Sequence, residues 1–293
     1  MLAIVGTVPE QPFPLVEGTV CLKDNHLTIE GKQVAINRGT PALAAAAAKC
    51  CEVLGLPRPH AFLVGDIGLG DGSRRLYEYL SRELGKRAFR AMTFHYLQPD
   101  VDWHNRVLFA VEDMETRPIL IADAGFMYAS KMSGQALSYD LFTPDVGELA
   151  FLADEDAPHP FYTRGFILHE EQQVPALIAR AYRHENAARC LLVKGRQDVI
   201  ADAWGVHDTV DEYSEEALEA IGGTGDTLTG IVTALVAADL EMMDAAVFAA
   251  RINRLAGCYA KPTPATQVMD IIDQIPRALE ELFFNRKEAD VRR

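Results

Sequence analysis

Along the chain, short runs of consecutive apolar residues alternate with segments whose apolar positions recur at three- and four-residue spacing. The first pattern suits strands buried on both faces, and the second suits helices lying against them. After LAIVG (2–6), segment 19–36 alternates apolar and polar positions. Its turn residues at Asp24-Asn25 and Gly31-Lys32 predict a hairpin or small meander. GTPALAAAAAKCCEVLG (39–55) predicts a helix that Thr40 caps, Pro41 opens and Gly55 ends. HAFLVG (60–65) predicts a buried strand, and DIGLGDGS leads from it into the helix RRLYEYLSREL (74–84). Strands are then predicted at 89–94, 117–125 and 188–195, with a hairpin at 198–210. Helices are predicted at 103–115 and 174–185, and segment 139–153 passes from strand to helix at Thr143-Pro144. Helices near 226–238, 243–260 and 267–284 close the pattern, and the charged tail 285–293 is predicted to fray.

Strands alternating with helices imply an α/β fold with a mainly parallel sheet covered on both faces. No linker, repeat or low-complexity tract divides the chain, which reads as one domain over 1–284 with a β-hairpin or meander at about 19–36. Ligands of such sheets bind at the carboxyl ends of the strands. Asp66, Asp123, Thr143 and Lys194 fall at those ends.

Charge and cysteine usage narrow the classes of partner. A formal net charge of −14 argues against a nucleic-acid surface, which needs clustered Lys and Arg. A nucleotide remains compatible, because backbone N–H groups can hold a phosphate inside an acidic protein. No run is apolar enough to span a bilayer, and the N-terminus has no basic region ahead of its apolar run, so a cytoplasmic, non-membrane protein is expected. The five cysteines include no CxxC pair, and His95, His104 and His207 have no metal-ligand spacing. These histidines read as structural or surface residues.

The richest chemistry lies in EAIGGTGDTLTGIVTALVAADL (219–240), where glycines crowd together just before a helical apolar pattern. It is not a P-loop, because Asp and Thr follow the last glycine where Lys and Ser/Thr belong. It is not a dinucleotide fingerprint either, since Leu228 stands where the third glycine belongs. Glycines let the backbone approach a ligand closely, and the helix start adds unpaired N–H donors and the positive end of its dipole. The stretch therefore suits an anion hole. Asp226 within it would repel a phosphate as a ligand, but it makes sense as a base that takes the proton of an incoming hydroxyl. A plain helix cap is the competing reading, and both stand at this point.

GGTGDTLTGI (222–231) resembles the anion-hole motif of the ribokinase-like superfamily. LFTPDVGELAFL (141–152), CLLVKGRQDVIAD (190–202), ILIADAG (119–125) and FLVGDIGLG (62–70) resemble, in order, four segments of one branch, the ADP/ATP-dependent NAD(P)H-hydrate dehydratases. The likeness runs over about residues 39–260. It implies a three-layer α/β/α fold, ATP or ADP as phosphoryl donor, and Mg²⁺. By the same likeness, Asp226 is the catalytic base, and Lys194, Gly195, Gly222, Gly223, Thr224 and Gly225 hold nucleotide or phosphate. Asp66, Gly68, Gly70, Asp123 and Asp145 line the acceptor cleft, and Glu148 positions Mg²⁺ through water. The competing readings are a cap of the next turn for Asp66, an acidic first helical turn for Glu148 and a side chain that reaches solvent for Lys194.

The sequence departs from the branch at several points. Asp145 replaces a histidine, Val146 replaces a proline, and Gly125 stands where a second acid belongs. Three readings follow. The first is a dehydratase that phosphorylates the hydroxyl of hydrated NAD(P)H and eliminates phosphate. The second is a kinase for a sugar, vitamin precursor or nucleoside. The third is a non-catalytic sensor, against which Asp226 argues. The partner expected is a small molecule, and a homo-oligomer is compatible with the sequence.

Overall fold

The structure is a computed structural model that describes residues 1–163 and 174–290, with backbone alone from 284 onward. In chain order the first strands are β1 (Leu2–Val8), β2 (Val16–Thr19), β3 (Cys21–Lys23), β4 (His26–Ile29) and β5 (Lys32–Ala35). Next come α1 (Thr40–Leu54), β6 (His60–Gly65), α2 (Asp71–Glu83), β7 (Ala91–His95), α3 (Val101–Glu112), β8 (Ile119–Ala122) and α4 (Ala124–Met132). They are followed by β9 (Leu141–Phe142), α5 (Val146–Ala153), α6 (Val174–Arg183), β10 (Cys190–Val193), β11 (Asp198–Asp202) and β12 (Gly205–Val210). The last helices are α7 (Thr224–Ala237), α8 (Met242–Ala260), α9 (Val268–Ile272) and α10 (Ile275–Asp290). The remainder of the charged tail, 291–293, lies outside the described residues.

These elements group into two compact units. One comprises residues 1–2, 16–61 and 210–293, and the other comprises 3–15 and 62–209. The first unit holds the antiparallel sheet β3-β4-β5 and the helices α1 and α7 to α10. Its turns lie at Asp24-Asn25 and Glu30-Gly31, where all four residues have positive φ. The second turn thus sits one residue earlier than the Gly31-Lys32 signal predicts. Helix α1 carries small residues because it is buried along its length: Ala42 to Ala48, Cys50 and Cys51 are all inside. Helix α7 meets it at Gly230, where an added Cβ would come within 2.2 Å of the Leu43 carbonyl oxygen. Only glycine allows that approach.

Thr40 does not cap α1. Gly39, at φ 68°, is the N-cap, and Thr40 is already helical. The single helix predicted near 267–284 is two, because α9 stops at Ile272 and α10 starts at Ile275.

The second unit holds the sheet β12-β11-β10-β9-β8-β7-β1-β6. β7, β8, β9 and β10 pair in parallel, with Ile121 opposite both Thr93 and Leu141, and Leu141 opposite Cys190. β11 returns antiparallel to β10. This is the predicted α/β class with a mainly parallel sheet. The apolar runs HAFLVG and CLLV become strands whose residues are almost wholly buried. Segment 117–125 does not stay extended. Ala124 turns at φ 50° and starts α4, which the apolar composition of AGFMYASKM conceals by offering no polar face. Lys131 of α4 donates to the carbonyls of Phe151, Asp154 and Ala157, which fixes the carboxyl end of α5.

Candidate active site

Parallel register brings the ends of β7, β8, β9 and β10 together in the second unit. The Asp123 N–H donates to Phe94 O, and the Lys194 N–H donates to Pro144 O at 2.7 Å. Asp145 and Lys194 form an isolated parallel bridge. The side chains follow from that backbone. Lys194 Nζ lies 2.9 and 3.0 Å from the two carboxylate oxygens of Asp123. Asp123 also caps α4 through the Ala124 N–H, and His95 Nε2 stands 3.9 Å from its Oδ2. Ala124 and Tyr96, both non-glycine residues with left-handed φ, mark two of these strand ends. Backbone strain of this kind collects at functional sites.

Asp145 and Glu148 form a capping box at the start of α5. The Glu148 N–H donates to Asp145 Oδ1 at 2.7 Å, and the Asp145 N–H donates to Glu148 Oε2 at 2.8 Å. The Tyr128 hydroxyl donates to Glu148 Oε1 at 3.2 Å. Burial pushes the Glu148 carboxyl well above its ordinary range; Lys194 opposes this, and the negative charges of Asp123 and Asp145 add to it. Burial and the same acids raise the Tyr128 phenol. Lys194 thus pairs with Asp123, and the Glu148 carboxyl lies within the influence of both and of Asp145. The Asp145 and Glu148 side chains offer oxygen donors of the hard type that Mg²⁺ takes.

The loop after β6 is closed on itself. Asp66 Oδ1 accepts from the N–H groups of Gly68, Leu69 and Gly70, and its Oδ2 accepts from the Ser73 N–H and hydroxyl. Burial pushes the Asp66 carboxyl up, but these donors outweigh it and hold the group below its ordinary range. Gly68 and Gly70 have φ of 92° and 86°, which glycine tolerates. Asp66 is therefore a loop anchor in its geometry, with its oxygens directed to its own turn. Gly195 likewise serves its own turn, donating to Asp198 Oδ1 at 3.2 Å.

In the first unit, the glycine turn 222–225 runs into α7. Gly223 is the N-cap at φ 102°, and no side chain caps this helix. Asp226, in the first turn and buried, reaches a different helix: its Oδ2 accepts the Gly39 N–H at the start of α1, at 2.6 Å. Asp226 therefore does not cap its own helix; its carboxylate is oriented by an N–H at the start of α1. Asn253 of α8 secures the turn by donating to Thr224 O at 3.0 Å and accepting from the Thr227 hydroxyl at 2.6 Å.

Asp123, Asp145, Glu148 and Lys194 are thus brought together, whereas Asp66, Gly68 and Gly70 form a self-contained loop. Tyr128 and Asn253 were not singled out in the sequence, and His95, read there as structural or surface, stands beside Asp123. Tyr128 and Asn253 sit inside helices and carry no local signal.

Residues 98–277 match the sequence profile of the family described as NAD(P)H-hydrate dehydratase. The chain belongs to the NAD(P)H-hydrate dehydratase family. It is 41% identical over 217 residues to the uncharacterized protein MJ1337 of Methanocaldococcus jannaschii, a match covering 74% of this chain and 89% of that one. It is 28% identical over 184 residues to the ADP-dependent (S)-NAD(P)H-hydrate dehydratase of Cenarchaeum symbiosum, covering 62% of this chain and 58% of that protein. Among solved structures, the ADP/ATP-dependent NAD(P)H-hydrate dehydratase of Bacillus subtilis, co-crystallized with ATP/Mg²⁺, superposes with a TM-score of 0.58 at 16% identity. That match covers 96% of this chain and 89% of the Bacillus chain. The family's fold is ribokinase-like, as the glycine turn implies. Among the described residues no helix is long and apolar enough to cross a membrane.

Proposed function

We propose that this member of the family is an ADP- or ATP-dependent NAD(P)H-hydrate dehydratase. The observation that carries the reading is the buried Asp226 carboxylate, set in the first turn of α7 behind a glycine turn and oriented by the Gly39 N–H. The nucleotide supplies the phosphoryl group, and Mg²⁺, where bound, would supply charge neutralisation at its phosphates. The N–H groups of the 222–225 turn and the start of α7 hold the phosphoryl oxygens as charge develops on them. Asp226 accepts the proton of the substrate hydroxyl as its oxygen bonds to phosphorus and the nucleotide's bridging oxygen leaves. The carbon–oxygen bond of the phosphorylated hydrate then breaks with electron push from the ring nitrogen. Inorganic phosphate departs, a ring proton is lost, and the reduced nicotinamide is restored.

In the second unit, Asp145 and Glu148 are the residues that would hold Mg²⁺, directly or through its waters, and Lys194 pairs with Asp123 beside them. The test is to supply NADH hydrate with ATP or ADP and to follow the return of NADH absorbance together with inorganic phosphate. No return with either nucleotide would sink the dehydratase reading.

One observation favours a second reading, a kinase acting on another small hydroxyl compound. A Cβ at Gly125 would lie 2.2 Å from the Leu97 carbonyl oxygen, so the acid found there elsewhere in the family has no room. The acceptor side of this chain therefore differs from the family pattern by construction. A stable phosphorylated product from a sugar or vitamin precursor, with no NADH regained, would decide for the kinase.

A further inference from the structure

The first unit carries a cation that the mechanism above does not use. Arg38 immediately precedes the N-cap of α1 and lies against the glycine turn. A Cβ added at Gly222 would meet Arg38 Cδ at 3.6 Å, and one at Gly223 would meet Arg38 Cα at 3.2 Å. The Gly39 N–H donates to Asp226, which ties the Arg38 backbone to the start of α7. The side chain is exposed, and among the described residues no hydrogen bond or ion pair engages it. A guanidinium left unpaired beside a glycine turn at a helix start supplies what such a turn lacks, a positive charge with several donors in a planar fork.

We propose that Arg38 binds the polyphosphate of the nucleotide at the 222–226 turn, so that its fork holds phosphate oxygens that the backbone N–H groups do not reach. The proposal rests on the reading of this turn as the phosphoryl site, and it extends that reading to a residue and a ligand class, a nucleoside di- or triphosphate. A guanidinium there would also offset the repulsion between Asp226 and the phosphates it must tolerate. Because Arg38 has no partner to lose, its replacement leaves the fold intact.

The experiment is calorimetric titration of the full chain with ATP, ADP and inorganic tripolyphosphate, each with Mg²⁺, for the wild type and for Arg38→Ala, Arg38→Lys and Arg38→Glu. We expect Arg38→Ala to weaken all three ligands by about 10- to 100-fold, the scale of one or two hydrogen bonds to a charged group. Arg38→Lys should recover part of the loss, Arg38→Glu should exceed it, and the melting temperatures without ligand should coincide. Equal affinities for ATP in the wild type, Arg38→Ala and Arg38→Glu would overturn the assignment. So would a wild type that binds none of the three ligands. Affinity that depends on Arg38 in a protein that regains no NADH would retain the proposal and remove only the dehydratase reading.

Discussion

Lys194, at the end of β10, holds both carboxylate oxygens of Asp123, at the end of β8, within 3.0 Å. Asp123 is almost wholly buried and Lys194 nearly so, which makes this pair the electrostatic centre of the second unit. Breaking such a pair on one side leaves a buried charge without compensation. Lys194→Met should therefore cost about 3 kcal/mol or more in stability. Lys194→Met combined with Asp123→Asn should recover much of it. A double-mutant cycle in urea measures the coupling, and additive losses would show that the pair is not coupled.

Asp226 joins catalysis to the start of α1, and two substitutions separate these roles. Asp226→Asn keeps an oxygen acceptor for the Gly39 N–H but cannot take a proton, so turnover should fall by roughly 10²–10⁴ while nucleotide binding persists. Asp226→Ala also removes the acceptor and should lower stability by about 1 kcal/mol. Turnover that survives in the Asn variant would reduce Asp226 to a cap.

Glu148 is held above its ordinary range, first by burial and then by its acidic neighbours. For a carboxyl raised in the folded state, that state binds more protons than the unfolded chain, so stability falls as pH rises from the unfolded value through the folded one. Glu148→Gln preserves the capping box and removes the charge. The variant should gain on the wild type in melting temperature as pH rises from acid to neutral, and it should lose most of any stabilisation by Mg²⁺. A wild type and variant with parallel pH profiles would contradict this account.

His104 is buried, accepts or donates with the Tyr139 hydroxyl at 2.8 Å and faces the Ser133 hydroxyl at 3.0 Å. Burial pulls its pKa down from 6.5 to about 4, with a hydrogen bond to Asn105 opposing. The unfolded chain takes up the proton first on acidification, so stability is fully present above about 6.5 and is lost as pH falls from there towards about 4. The loss from this residue is on the order of 3 kcal/mol. Denaturant titrations across that window should show a shallower decline in His104→Gln.

What could be read from the chain followed physical locality. HAFLVG and CLLV declare themselves because a doubly covered strand needs consecutive apolar residues, and GGTGD declares itself because its turn needs a glycine at the positive φ of Gly223. Helix α4 was hidden because Asp123-Ala124 reads as the end of a strand until Ala124 adopts a left-handed φ. Thr40 looked like a cap because the true N-cap, Gly39, is secured by a carboxylate 187 residues further on. Lys194 reads as a phosphate ligand when taken alone, and only the register of β8, β9 and β10 shows that it faces Asp123. Asn253 and Tyr128 act through side chains that cross between elements, which no window of sequence contains.

The first unit is drawn from both ends of the chain, with residues 62–209 intervening. During synthesis, the alanine-lined α1 emerges long before α7, whose Gly230 receives it, and before Asp226, which secures its first N–H. At ~5–20 residues per second, the ribosome needs roughly ten to thirty seconds to span the gap. Through that interval a wholly apolar helix face has no native cover, while the second unit can complete its own sheet. The glycine turn and its acid thus take shape late in translation, after α1 has waited for its partner.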